Sequence, residues 1–243
     1  MYILALETTG KYGSASVIDE SGQCVTASSR EEMNHLKEII TLTEESIERA
    51  GITKADLTHV AASVGPGSFT GIRIGVTTAR TLGQVMNLPC ISVSSLEGMA
   101  LHGLSLRKDE MIICPIINAR RHQTYSGVWK VSEGKIETVL PEKQYMIEEL
   151  LTELQKIEGS VLFVGDGIDA YENIIAETLA PEKYSLADQE CRYPDSEWVA
   201  KVALRKALQG ETCFYKELLP NYMRKSEAEM RLEAGTLSRK IHG

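Results

Sequence analysis

No apolar run in this chain approaches the roughly 20 residues that a membrane-spanning helix needs, and the opening YILALET enters a strand-like pattern with no basic leader before it. Both absences point to a cytoplasmic protein with no membrane association. Cysteine is sparse and unpatterned. Cys24, Cys90, Cys114, Cys191 and Cys213 are five in number with no C-x-x-C spacing, which argues against a disulfide framework or a zinc knuckle and leaves small buried thiols. Positive charge is also short: 26 Lys and Arg stand against 34 acidic residues, for a net charge of −8. Holding a nucleic-acid backbone unaided needs clustered cations, so any RNA would have to be held by a partner. The few basic clusters, Arg120-Arg121-His122, Arg224-Lys225 and Arg239-Lys240, read as solvated surface. Core material is present, since 43% hydrophobic and 25% charged residues is the composition of an ordinary globular protein with one large or two modest domains.

Periodicity predicts strands at residues 2–7, 14–19 and 23–28, then a helix capped by Asn34 with apolar Leu36, Ile39, Ile40 and Ile47 at helical spacing and Gly51 at its end. A strand at 59–64, a helix at 70–87, a strand at 90–93 and a helix at 95–101 follow. The pattern then restarts, with strands at 111–118, 124–131 and 135–140, a helix at 146–157, a strand at 161–165, a helix at 169–179 capped by Asp169, and a last helix at 198–208 capped by Asp195 or Ser196. Such repetition implies two α/β domains of one type. The expected division is 1–105, 106–220 and a polar tail or short helix at 221–243. The arrangement is similar to the duplicated actin-like fold of the sugar-kinase and heat-shock ATPase superfamily, two facing domains each with a mixed sheet and flanking helices. That fold by itself gives no function.

In that superfamily a nucleotide lies in the cleft, its phosphates at the hairpin after the first strand. The matching hairpin here carries Glu7, Thr8 and Thr9, and Gly165-Asp166-Gly167 resembles the adenine-side loop. These five residues, Glu7, Thr8, Thr9, Gly165 and Gly167, outline a vestigial nucleotide cleft. Each also suits a plain turn. The second hairpin places Arg120, Arg121 and His122 where phosphate binders carry glycine, which obstructs close backbone approach. No cofactor is expected, beyond weak nucleotide binding.

The segment Gly65-Pro66-Gly67-Ser68-Phe69-Thr70-Gly71-Ile72-Arg73 fails as a Walker A loop, because Ile72 and Arg73 follow Gly71 where Lys and a hydroxyl residue belong. It is not a nucleophile elbow either. Ser68 reads as a helix cap. Gly71, Gly75, Ala79 and Gly83 share one helix face, with Arg73, Thr77, Arg80 and Gln84 on a polar face. Glycine in a helix costs up to about 1 kcal/mol relative to alanine, so the stripe implies close contacts, within the domain or across a subunit boundary.

Taken with Leu4-Ala5-Leu6-Glu7-Thr8-Thr9 and Leu219-Pro220-Asn221-Tyr222-Met223-Arg224, this segment resembles the TsaB family. The resemblance implies a non-catalytic subunit that docks and activates TsaD, the enzyme forming threonylcarbamoyladenosine at adenosine 37 of tRNAs reading codons that begin with A. It implies a heterodimer with TsaD, a homodimer in isolation, TsaE in a larger complex, and tRNA contact only through the complex. The interface it implies uses Leu36, Ile39, Ile40 and Thr43 on the first helix and Phe69, Gly71, Arg73, Gly75, Val76, Ala79 and Arg80 around the second. TsaD carries a His-x-x-x-His metal pair in a stretch resembling Val93 to Met99, where this chain has Ser95 and Met99. A hydroxyl and a thioether are poor substitutes for imidazoles, so a pseudo-enzyme without a metal site is expected. The alternative is a metal- or ATP-dependent peptidase or kinase of the same fold using Glu7.

Overall fold

The computed structural model describes residues 1–29, 31–32, 35–106, 111–132 and 135–223. Asn34, the residues from Arg224 onward and the turn at Glu133-Gly134 lie outside them. The first half runs β1 (Tyr2–Glu7), β2 (Ser14–Asp19), β3 (Cys24–Ser28), α1 (His35–Arg49), β4 (His59–Ser63), α2 (Phe69–Met86), β5 (Cys90–Val93) and α3 (Ser95–Ser105). The second runs β6 (Met111–Asn118), β7 (Gln123–Ser132), β8 (Lys135–Met146), α4 (Ile147–Lys156), β9 (Val161–Val164), α5 (Gly167–Thr178), β10 (Tyr184–Leu186) and α6 (Ser196–Leu208).

The two sheets repeat one topology, β3-β2-β1-β4-β5 and its counterpart β8-β7-β6-β9-β10. In each, the first strand is central, antiparallel to the hairpin strand on one side and parallel to the crossover strand on the other. This is the duplicated actin-like fold. Strand β10, only three residues long, completes the second sheet and was not expected from periodicity. Strand β8 runs six residues past its expected end at 140, and α3 reaches Ser105 rather than 101. Helix α5 starts at Gly167. Asp169 therefore sits in its first turn and pairs with Arg192 at 2.9 Å instead of capping it.

Alternation along the central strands explains their nearly continuous apolar character, because both sheet faces are covered. Leu4 and Leu6 of β1 pack with Ile39, Leu42, Ile72 and Val76 of α1 and α2. Ile3 and Ala5 pack with Val199, Ala200, Val202 and Ala203 of α6. In the second sheet, Cys114 and Ile116 face α4 and α5, while Ile113 meets Leu96 and Met99 of α3. The layers are thus α1 and α2, sheet, α3 and α6, sheet, α4 and α5. Helix α3 follows the first sheet but packs on the second, and α6 follows the second but packs on the first. No helix among the described residues is long and apolar enough to cross a membrane.

Local chemistry sets the helix ends. Ser68 Oγ accepts from the Gly71 amide, Ser94 Oγ from Leu96 and Glu97, and Asp195 from Glu197, each satisfying amides that have no partner within the helix. Asn87 ends α2 in the left-handed region, at φ 53°. After α6 the chain returns as a strap. Cys213 pairs with Cys90 in an isolated antiparallel bridge, Leu218 enters the first core, and the Asn221 amide donates to the Val64 carbonyl.

Candidate functional site

Two regions collect the residues that the sequence singles out: a cleft between the halves and the outer face of α1 and α2. The cleft has a volume of about 640 Å³. Thr9, Gly10 and Lys11 of the first hairpin, the head of α2 from Gly67 to Thr70, Ile117 to Arg120 of the second hairpin, Asp166 and the Arg192-Tyr193-Pro194 segment form its walls. Of the five residues expected there, only Thr9 lines it.

The other four are committed elsewhere. Glu7 has the β1 parity of Ile3 and Ala5, so it points toward the start of α6 and is fully buried. One carboxylate oxygen accepts from the Thr9 amide and the other has no partner. Desolvation pushes its pKa up, Thr9 and Ser63 hydroxyls oppose that, and Asp195 adds to it. Thr8 Oγ1 donates to the Gly71 carbonyl at 2.7 Å. Gly165, at φ +106°, and Gly167 pass directly over the Ile116 carbonyl, leaving no room for a Cβ.

Cations at the cleft are largely engaged. Lys11 pairs with Glu32 at 2.7 Å, and Arg192 binds Asp169 and the carbonyls of Ala187 and Asp188. Burial pushes the Asp166 carboxyl up while it accepts from the Asn118 amide at 2.9 Å. The second hairpin is tightly wound. Arg120, Arg121 and His122 have φ of 64°, 54° and 61°, a left-handed run that non-glycine residues rarely adopt. Asn118 supports it, its side-chain oxygen accepting from the Arg120 amide and the Tyr171 hydroxyl.

Ser95 and Met99 sit in the core. Ser95 Oγ is within 2.9 Å of Thr9 Oγ1 and 2.7 Å of Ser63 Oγ, and Met99 fills space beside Gly165. His102 has Nε2 3.4 Å from Cys191 Sγ and its ring stacked on Trp198. Among the described residues, no three His, Cys, Asp or Glu group as metal ligands.

The face of α1 and α2 divides the expected interface residues sharply. Leu36 is 75% exposed and Ile40 52%, one turn apart on α1, whereas Ile39 is 2% exposed and Thr43, Val76 and Ala79 are buried. The glycine stripe is used up inside the chain: a Cβ on Gly71 would lie 1.9 Å from the Thr8 carbonyl oxygen, and one on Gly75 2.5 Å from Thr8 Oγ1. Gly71, Gly75, Val76, Ala79, Ile39 and Thr43 therefore present no free surface, a correction to the interface expected for them. Arg73 is exposed, and Phe69 and Arg80 are half-buried. Sequence reasoning quoted Tyr222 in the segment 219–224 but did not foresee its place beside the interface residues, where it stacks on Phe69 at 4.4 Å and accepts from Arg73 Nε at 3.1 Å. It also missed Val85, 78% exposed near the end of α2.

A family model described as TsaD, tRNA N6-adenosine threonylcarbamoyltransferase, matches residues 28–232. The chain is 28% identical over 233 residues to the tRNA threonylcarbamoyladenosine biosynthesis protein TsaB of Bacillus subtilis (strain 168), covering 95% of this chain and 97% of that one. Against the protein of the same name from Escherichia coli (strain K12) it is 27% identical over 243 residues, covering 96% and 98%. The solved structure of YeaZ from Pseudomonas aeruginosa has the same fold, with a TM-score of 0.75 at 19% identity over 91% of this chain and 99% of that one. The family-model match spans most of the chain and the similarity to TsaB proteins spans nearly all of it: the chain belongs to the tRNA N6-adenosine threonylcarbamoyltransferase family, in its TsaB branch.

Proposed function

We propose that this chain takes part in tRNA threonylcarbamoyladenosine biosynthesis as a scaffold subunit, docking TsaD through the outer face of α1 and α2 without performing the transfer itself. The observation that carries this reading is the pair Leu36 and Ile40, two large aliphatic side chains one turn apart and more than half exposed, on a chain similar along its length to TsaB proteins. Water-exposed aliphatics side by side favour coverage by a partner. Arg73, Thr77, Thr81 and Val85 continue the exposed surface along α2. The commitment of Ser95 and Met99 to the core also supports a non-catalytic role, because neither is free to stand in for a metal-binding histidine. In this reading the isolated chain forms a homodimer through the same face, TsaD displaces it, TsaE joins the larger complex, and tRNA is held by the partners.

The test is light scattering of the purified chain alone and mixed with the cognate TsaD, repeated with Leu36→Glu and Ile40→Glu. Both substitutions fall on exposed positions, so each variant should keep the parent's thermal midpoint. The expected result is a homodimer replaced by a one-to-one heterodimer on mixing, with both associations weakened at least tenfold in the variants. A wild-type chain that ignores TsaD, or charged variants that bind it undiminished, would overturn the proposal.

A further inference from the structure

The strap after α6 meets the edge of the first sheet at one point, where Cys213 faces Cys90. The Cys90 amide donates to the Cys213 carbonyl at 2.9 Å and the Cys213 amide donates to the Cys90 carbonyl at 2.8 Å. That reciprocal pair defines a directly opposed, hydrogen-bonded antiparallel register, with Cα atoms about 5.5 Å apart and both side chains on one face. A disulfide takes Cα separations of about 4.4–6.8 Å. The same-face placement is borne out by the core, where both thiols pack against the cluster of Leu4, Val76 and Ala79.

We propose that Cys90 and Cys213 form a reversible disulfide that ties the strap to β5, making this pair a thiol modification site. Opposed β carbons in such a register are about an ångström farther apart than in a disulfide, so one side must give. The strap can give, because Cys213 belongs to an isolated bridge and not to a strand. Accessibility sets the order of steps: Cys213 is half-buried and Cys90 fully buried. A low-molecular-weight disulfide such as glutathione disulfide reacts first with the Cys213 thiolate, forming a mixed disulfide and releasing one glutathione thiol. The Cys90 thiolate then attacks the Cys213 sulfur and releases the second. Two protein thiols are oxidised, one glutathione disulfide is reduced, and the two protons leave on the two glutathiones. Burial pushes both thiols above their ordinary value, Cys90 to about 11, so the cross-link should form slowly near neutrality and faster at mildly alkaline pH.

The bond would matter for what the strap carries. Beyond Cys213 lie Leu218 in the first core, Asn221 on the Val64 carbonyl, and Tyr222 against Phe69 and Arg73 at the head of α2.

The experiment incubates the full chain with glutathione disulfide at mildly alkaline pH, then counts thiols by alkylation under denaturing conditions and maps proteolytic peptides by mass without reductant. The expected result is a fall from five free thiols to three, a linked peptide pair containing Cys90 and Cys213, and reversal by dithiothreitol. Cys213→Ser should retain all its remaining thiols. Five alkylated thiols, a mixed disulfide that persists on Cys213, or a link joining any other two cysteines would overturn the proposal. The wild-type peptide map decides this whether or not the serine variant folds.

Discussion

Glu7 shows how a residue legible as chemistry can be illegible as position. An acidic side chain at the end of β1 looks like a cleft group, yet strand parity turns it toward α6 and burial closes over it, leaving one carboxylate oxygen without a partner. No motif signals this, because Asp195, whose negative charge adds to the upward shift, comes almost two hundred positions later. The folded state holds the Glu7 proton more tightly than the unfolded chain, since desolvation raises its pKa. Below the unfolded carboxylate range both states are protonated and ionisation takes nothing from stability. As pH rises the unfolded chain ionises first, and stability is lost until the folded carboxyl ionises as well. Glu7→Gln removes this loss, so its advantage over the parent should be small near pH 4 and grow as the pH rises toward the raised titration range of the folded carboxyl. Thermal unfolding of both proteins across that range measures it, and a gap that stays flat with pH would sink the argument.

Among the elements, α2 separates what a pattern can reveal from what it cannot. Spacing of Gly71, Gly75, Ala79 and Gly83 located a close-packing face, and of the polar stripe Arg73, Thr77 and Gln84 are exposed while Arg80 is half-buried. Which surface met that face was not legible, because periodicity orients a helix without naming its neighbour. The neighbour is the end of β1, with the Thr8 carbonyl and hydroxyl against Gly71 and Gly75. The same limit applies to α1, where Ile39 and Ile40 are chemically identical but one is core and the other surface. Strand β10 escaped notice for another reason: at three residues it is too short to show alternation. Gly71→Ala should therefore destabilise the protein by roughly 3 kcal/mol or more, although alanine favours the helix by about 1 kcal/mol, since a methyl against a backbone oxygen cannot be relieved by a side-chain shift. Urea unfolding decides this, and a neutral or stabilised variant would show that α2 can move away from β1.

Across the whole molecule, the crossing of α3 and α6 makes the two halves one structure. Leu96 and Met99, carried by the helix that ends the first half, complete the core of the second sheet beside Ile113 and Trp129. Val199 and Val202, carried by the helix that ends the second half, complete the first. Neither sheet keeps its inner face covered if the other unfolds, so a two-domain outline coexists with a single cooperative unit. The chain's two tryptophans allow this to be measured, because Trp129 lies in β7 of the second sheet and Trp198 in α6 against the first. Trp198→Phe leaves fluorescence from the second sheet, and Trp129→Phe leaves fluorescence from α6. In each variant the fluorescence midpoint in urea should coincide with the midpoint from circular dichroism. Adding Leu96→Ala, which empties part of the second core at a cost of about 2–5 kcal/mol, should lower the midpoint in both backgrounds by the same amount. If that substitution shifts the Trp129 signal and leaves Trp198 where it was, the halves unfold separately and the exchange of helices does not couple them.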